Sequence, residues 1–389
     1  MVIVHHRGRD RLFRTLAPAA LQAGREGAEV VLIDNASREG VPAETARRFP
    51  GVRVLTQSRN MGFAEACRVG AESAAAPHVV FLNDDAVPED GWLSSLLAAA
   101  ARKPGDVAVI AGRLTDPSGL RNDFSDGFVT FDGHAFSDLV GAPVSAGGAG
   151  EERFFACGGN MLADRSEFLD AGGFDGDYFA YLEDVDFGWR QWIFGKRILF
   201  EPAASARHEG GATGQALGVF KRGFLIERNA FATAYKNFES DHLRDALPAL
   251  LAVFLARVAA MVSRDPGASD LSRDPYAEPA GRRKWASLLS RVFGIRARES
   301  VLLGDPLAIA QLRALRWIFA HRDALQEKRE WVQARRRRGD REIFSKFPAA
   351  LVPTYPGDDV LASKFFQEIQ PRILALRARN LSDIFVGPR

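Results

Sequence analysis

Cysteine is scarce. Two residues, Cys67 and Cys157, occur in 389, which excludes a disulfide framework and fits a reducing compartment. A surplus of one charge is missing too: 51 Lys and Arg against 49 Asp and Glu leave a net charge of +2. No chain-wide field for nucleic acid follows from that balance. The most apolar stretch, running from Leu247 to Val262, is too short and too interrupted by Pro248 and Arg257 to span a bilayer. No basic and apolar leader precedes the first strand-like run, so a protein facing the cytoplasm is expected. Internal repeats are absent. What is present is 47% hydrophobic residues, ample for a core, in a length that suggests two domains.

The run His78-Val79-Val80-Phe81-Leu82-Asn83-Asp84-Asp85 reads as a short buried strand bounded by Pro77 and ending in two acids. Ligands bind at the carboxyl ends of strands in open α/β sheets, and adjacent carboxylates there can hold a hard divalent cation against phosphate oxygens. A solvated Asn-Asp-Asp turn is the plain alternative. Ala28-Glu29-Val30-Val31-Leu32-Ile33-Asp34-Asn35-Ala36-Ser37 repeats the design. Asp34 can accept from a base or ribose while Asn35 and Ser37 shape the turn, or Asp34 and Ser37 merely cap the next segment of chain. Between the two strands, Arg59-Asn60-Met61-Gly62 leads into an Ala-rich helical stretch, a helix start suited to an anion. Gly62 and Gly70 lack the Gly-x-Gly-x-x-Gly spacing of a dinucleotide site, which disfavours a Rossmann dehydrogenase.

Further on, Gly172-Gly173-Phe174-Asp175 reads as a loop, and Glu183-Asp184-Val185-Asp186 opens a helix whose apolar positions include Leu182, Val185, Trp189, Trp192 and Ile193. Acids in a first turn also stabilise a helix by themselves. Residues 197–207 read as a strand and extended segment that return the chain to the same crevice at His208, ahead of a Gly210-Gly211-Ala212-Thr213 loop. A lone His is more often a satisfied residue than a ligand.

In this order, Ile33 to Ser37, Asn60 to Ala64, Leu82 to Asp85, Gly172 to Asp175, Glu183 to Asp186 and His208 to Thr213 resemble the family-two inverting glycosyltransferases of the GT-A fold. They are most similar to the rhamnosyltransferase-like branch of bacterial surface-polysaccharide synthesis. The resemblance implies an α/β fold with a Rossmann-like mixed sheet, followed by an α-helical carboxyl-terminal domain, with the catalytic domain over 1–240 and the tail over 241–389. It implies Asp184 as general base with Glu183 orienting it or the acceptor, and Asp85 with His208 as ligands of Mn²⁺ or Mg²⁺. His5, Asp34, Asn35, Arg59, Asn60, Gly62, Asn83 and Asp84 would line the nucleotide-sugar site, Asp84 as a ribose contact or a group behind the metal ligand. The donor would be a dTDP- or UDP-linked sugar, rhamnose-like, and the acceptor a glycan or lipid-linked glycan. A nucleotide diphosphate leaves as an anion, so charge stabilisation and a base for the acceptor hydroxyl suffice. A hydrolase would need two carboxylates flanking one glycosidic bond.

Three departures stand out. Asn83 replaces the usual first Asp of the metal motif, the first strand carries His5-His6-Arg7, and Cys157-Gly158-Gly159-Asn160 replaces a Ser-Gly-Ala-like stretch on the acceptor side. Cys157 reads as a buried thiol and Asp186 as structural. Residues 113–150 are expected to carry a hairpin around Phe128 to Phe131, and Arg228 either reaches a donor phosphate or lies on a solvated helix face. The apolar stripe from Leu247 to Val262 is expected to lie in a membrane interface rather than pack on later helices. Basic clusters at Arg282-Arg283-Lys284-Trp285 and Arg335 to Arg338 suit an anionic lipid surface. Peripheral attachment to the inner face of the cell membrane, without nucleic-acid binding, is the expectation. Two competing readings remain: a non-catalytic GT-A-like scaffold that binds nucleotide sugar or glycan, and nucleotidyl transfer.

Overall fold

The computed structural model describes residues 1–145, 148–210, 212–262, 269–270, 302–303 and 306–386. In chain order the first half comprises β1 (Val2–His5), α1 (Arg9–Arg25), β2 (Val30–Asp34), α2 (Val41–Arg48), β3 (Val52–Thr56), α3 (Phe63–Ser73), β4 (His78–Asn83), β5 (Ala86–Pro88) and α4 (Trp92–Arg102). Then come β6 (Val107–Thr115), β7 (Asn122–Phe124), β8 (Gly127–Val129), β9 (Ala135–Ser137), β10 (Asn160–Asp164), α5 (Arg165–Asp170), α6 (Glu183–Ile193) and β11 (Arg197–His208).

β1 and β2 are buried along their whole length, because helices cover both faces of the sheet. Ile3 and Leu32 face Leu12, Phe13 and Leu16 of α1, whereas Val2, Val4, Val31 and Ile33 face Ala64, Cys67 and Ala71 of α3. A side-chain period of two thus sends alternate residues to opposite layers. Gly70 allows α3 to approach closely, since a Cβ there would lie 2.4 Å from Val2 Cγ1.

The nine-stranded sheet runs in the order β3-β2-β1-β4-β10-β6-β11-β5, with β7 added to β6. β3, β2, β1 and β4 are parallel; β10 is antiparallel to both β4 and β6; β11 is parallel to β6. The carboxyl ends of β1, β2, β4 and β11 therefore share one edge with the amino end of β10. That edge collects His5, Asp34, Asn83, His208 and Asn160.

The expected hairpin forms between β8 and β9, with Phe131 in its turn packed on Phe366 at 5.7 Å. Among the described residues five longer helices come after β11: α7 (Ala212–Asn237), α8 (Ser240–Val262), α9 (Pro306–Ala320), α10 (Arg322–Ala334) and α11 (Asp340–Lys346). Ala212 and Thr213, expected in a loop, already belong to α7, which breaks at Gly218 (φ 73°). Phe344 of α11 lies 5.3 Å from Trp189 and 6.2 Å from Phe154, so the tail shares the core of the sheet domain.

One expectation about charge is corrected, and the other basic positions find their places. Arg228 neither faces solvent nor reaches toward the crevice: it is buried, donates to the Tyr178 carbonyl at 2.9 Å and lies over Trp317. Arg257 is buried as well, paired with Asp132 at 2.9 Å and Asp358 at 2.6 Å. In the 335–338 cluster, Arg336 pairs with Asp340 and Arg338 donates to the Lys196 carbonyl, while Arg335 and Arg337 stay exposed. The 282–285 cluster lies outside the described residues. On α8, Ala246, Ala249, Leu250 and Val253 pack inward, contrary to a helix lying wholly in an interface, yet Leu247, Leu251 and Leu255 remain exposed. Among the described residues no helix is long and apolar enough to cross a membrane.

Candidate active site

β4 ends at Asn83 and β11 at His208, and their proximity builds the centre of the crevice. His208 Nε2 lies 3.1 Å from Asp85 Oδ1 and 3.4 Å from Asn83 Nδ2. Its Nδ1 lies 2.7 Å from Asp123 Oδ2 on β7. Burial opposes a charge on this ring, but Asp123 and Asp85 outweigh it and push the imidazole up to about 10. Burial would raise the Asp85 carboxyl, and His208 outweighs that and holds it low. An imidazole whose far nitrogen is held by a carboxylate, with its near nitrogen facing a second carboxylate, is the donor set that fits a divalent ion. His208 must lose its proton to serve, so metal and proton compete for Nε2.

Asp184 stands across the crevice in the first turn of α6. Its Oδ2 accepts from the Gly158 N–H at 2.9 Å and its Oδ1 from the Val185 N–H at 2.9 Å. Gly159, the next residue, accepts the Asn83 N–H at 2.9 Å, and a Cβ on it would meet the Asn83 amide at 2.4 Å. One run of contacts therefore joins Asp184 through Gly158-Gly159 and Asn83 to His208 and Asp85. Burial raises both Glu183 and Asp184, and each charge makes the other harder to form. Glu183 Oε2 is buried with no hydrogen-bond partner among the described residues, whereas Asp184 has two. The proton that the pair keeps therefore belongs on Glu183.

On the other side of the crevice, His5 is fully buried and spans Asp84 (Nδ1 to Oδ2, 2.6 Å) and Glu39 (Nε2 to Oε2, 3.1 Å). Burial disfavours its charge, but the two acids outweigh that and raise it. Burial raises Asp84 despite the ring beside it. Asp34 Oδ1 accepts the Ser37 N–H at 3.0 Å, the local cap. Asn35 accepts from Met61 N–H and donates to Asn60 Oδ1 and the Gly62 carbonyl, tying the β2 turn to the 60–62 turn. Arg59 is exposed. At Gly62 (φ 85°) a Cβ would stand 2.4 Å from the Phe179 carbonyl. That carbonyl takes the Phe63 N–H at 2.6 Å and the Ala64 N–H at 3.3 Å. The helix start expected to greet an anion thus spends these two donors on the loop before Glu183.

Three residues of that loop, Phe179, Tyr181 and Leu182, have positive φ. Asn229 of α7 holds it, its Nδ2 donating to the carbonyls of Tyr178, Ala180 and Tyr181 at 3.1, 2.9 and 2.7 Å. Asp186 faces inward onto Arg190, Lys236 and Asn237, the structural role expected. Cys157, expected to be buried, is half-buried, and desolvation pushes its thiol up. Asp123, Glu39 and Asn229 were not singled out from sequence, because each acts through a partner at least 34 residues away.

A nine-stranded mixed sheet of this order, with an acid-bearing strand end, a returning histidine and a carboxylate pair across the crevice, is a GT-A glycosyltransferase fold. The family model described as Glycosyl transferase family 2 matches residues 1–169. An N-acetylglucosaminyl-diphospho-decaprenol L-rhamnosyltransferase of Mycobacterium tuberculosis is 28% identical, over 54% of this chain and 75% of the relative. A pre-mycofactocin glycosyltransferase of the same organism is 28% identical, over 47% of this chain and 38% of that one. A crystal structure of GalNAc-T7 with UDP, GalNAc and Mn²⁺ superposes with a TM-score of 0.51 at 16% identity, over 82% of this chain and 57% of that one.

Proposed function

We propose that the protein transfers a sugar, with inversion, from a nucleotide-diphosphate donor to a glycan or lipid-linked glycan. dTDP- and UDP-linked sugars are the leading donors and a rhamnose-like sugar the first candidate, following the rhamnosyltransferase relative. The observation that carries this reading is the unbroken contact run from Asp184 to Asp85. It keeps a base and a cation-ready pair in one crevice, the requirement for in-line displacement at the anomeric carbon.

In this reading Asp184 accepts the acceptor hydroxyl proton as the new C–O bond forms and the bond to the diphosphate breaks. Gly158 and Val185 fix its carboxylate for that transfer, and protonated Glu183 orients the hydroxyl. Asp85 and His208 Nε2 would hold Mn²⁺ or Mg²⁺, with Asp123 setting the His208 tautomer. Such an ion would supply charge stabilisation to the departing diphosphate. Asp34, Asn35, Asn60, Gly62, Asn83 and Asp84 shape the nucleotide side, with His5 bracing Asp84 and Arg59 at the outer rim.

Replacement of Asp184 by Asn should lower turnover by about 10²- to 10⁴-fold with donor affinity unchanged in calorimetry. Turnover near the unsubstituted rate would remove Asp184 as the base. Mixing the protein with dTDP- and UDP-sugars and Mn²⁺ should release nucleoside diphosphate, faster with acceptor. Asn83 beside His208 favours the scaffold reading, which predicts binding without release. Pyrophosphate as product would mark nucleotidyl transfer instead. The exposed Leu247, Leu251 and Leu255, with Arg335 and Arg337, support peripheral attachment to the inner membrane face. Co-flotation with anionic vesicles should be lost on Leu255→Asp.

A further inference from the structure

Away from the crevice, the turn between α7 and α8 meets the start of α11. Glu239 and Asp340 cap one another there: the Glu239 N–H donates to Asp340 Oδ2 at 2.6 Å and the Asp340 N–H to Glu239 Oε2 at 2.8 Å. Each of these oxygens retains a second lone pair. His242, one turn into α8 and only 6% exposed, aims Nδ1 between them, 3.5 Å from Glu239 Oε2 and 3.7 Å from Asp340 Oδ2.

Those separations are too long for good hydrogen bonds, and neither ring nitrogen of His242 has a hydrogen-bond partner among the described residues. They suit another geometry. A tetrahedral ion with bonds of about 2.1 Å sets its ligand atoms about 3.4 Å apart. All three ligand atoms lie within 4.8 Å of one another, so a small backbone adjustment brings them onto one centre. Arg336 pairs with the other Asp340 oxygen at 3.0 Å, and Arg329 is turned onto the Phe238 carbonyl and Ser240 Oγ. Both guanidiniums are thus engaged with oxygens other than Asp340 Oδ2 and Glu239 Oε2. Glu239, the more exposed of the three, leaves room for a water as fourth ligand.

We propose that Glu239, His242 and Asp340 form a second metal site, for a borderline divalent ion such as Zn²⁺, which locks α8 to α11 and is separate from the Asp85–His208 pair. One imidazole with two carboxylates is a donor set such ions accept in four-coordinate geometry. The site is independent of the transferase reading.

Co²⁺ is the probe. Untagged Asp85→Asn protein, stripped with chelator, removes the crevice carboxylate from the competition. Titration should give one equivalent of Co²⁺ with the intense visible absorption of a tetrahedral site, bleached by Zn²⁺. Adding His242→Gln should abolish the band and weaken Co²⁺ binding at least about tenfold. His242→Cys should instead add a thiolate-to-cobalt band in the near ultraviolet, which keeps the test decisive if the Gln variant folds poorly. Absence of the visible band in the Asp85→Asn protein, a band that survives His242→Gln, or a His242→Cys protein without the thiolate-to-cobalt band would overturn the proposal.

Discussion

Neighbouring carboxylates at the head of α6 differ in one respect that governs their chemistry. Asp184 accepts two backbone N–H groups, and Glu183 Oε2 is buried without a partner among the described residues. Burial and the adjacent Asp184 raise Glu183, so the folded state binds a proton there at pH values where the unfolded chain has released it. Stability therefore falls as pH rises from the ordinary carboxylate range toward the raised value. Glu183→Gln should leave the melting temperature unchanged near pH 4 and raise it by about 2 °C or more at pH 8. Calorimetric scans at the two pH values check the sign. Asp123 is the second residue of consequence, since it holds His208 Nδ1 at 2.7 Å. Asp123→Asn should weaken Mn²⁺ affinity about 10- to 100-fold, read by titration, while Co²⁺ uptake at Glu239, His242 and Asp340 stays intact.

At the level of elements, the positive-φ loop from Phe179 to Leu182 is held between two helices. Gly62 lets α3 press on the Phe179 carbonyl, and Asn229 of α7 gathers three carbonyls from behind. Gly62→Ala meets both a positive φ and a backbone atom at 2.4 Å, and should cost about 1–3 kcal/mol in denaturant unfolding. Asn229→Ala takes the Asn229 donor from the Ala180 and Tyr181 carbonyls, while Tyr178 keeps Arg228. It should lower kcat at least about tenfold, because misplacing a reacting group is expensive, with the donor KM unchanged. Equal changes in both constants would mean that the loop serves donor binding instead. Neither dependence was legible in the motif containing Gly62, whose glycine reads equally well as an anion cradle.

For the whole molecule, the tail is part of the core. Phe344 packs against Trp189 and Phe154, so Phe344→Ala should cost about 3–5 kcal/mol and shift unfolding of the sheet and tail together. A buried ionic cluster ties the β8–β9 hairpin to α8: His134 pairs with Asp132 at 3.1 Å and Glu227 at 3.3 Å, and Arg257 with Asp132 and Asp358. Burial disfavours charge on His134, but Asp132 and Glu227 outweigh it and raise the ring from 6.5 to about 9. Its contribution is fully present below about pH 6.5 and lost as pH rises through about 9. His134→Gln should therefore destabilise by about 1–3 kcal/mol at pH 6, with the deficit shrinking by pH 10, as denaturant melts at both values would show.

The strands, the crevice acids and the start of α6 were legible in the sequence because each rests on local physics: buried runs alternating between two helical layers, polar residues at strand ends, acids in a first turn. Asp84, Asp85, Glu183, Asp184 and His208 could be named from that and from the order of the motifs. The sequence by itself determined the set of polar groups that the strand ends and the first turn of α6 bring to the crevice. Only the tertiary structure decided what completes it, namely Asp123 behind His208, Gly158 behind Asp184, Asn229 behind the strained loop and the inward turn of Arg228 and Arg257. The reason is physical: a hydrogen bond or ion pair between residues far apart in sequence leaves no periodicity and no cap signal, and exists only where the packed sheet and helices bring the two groups within reach.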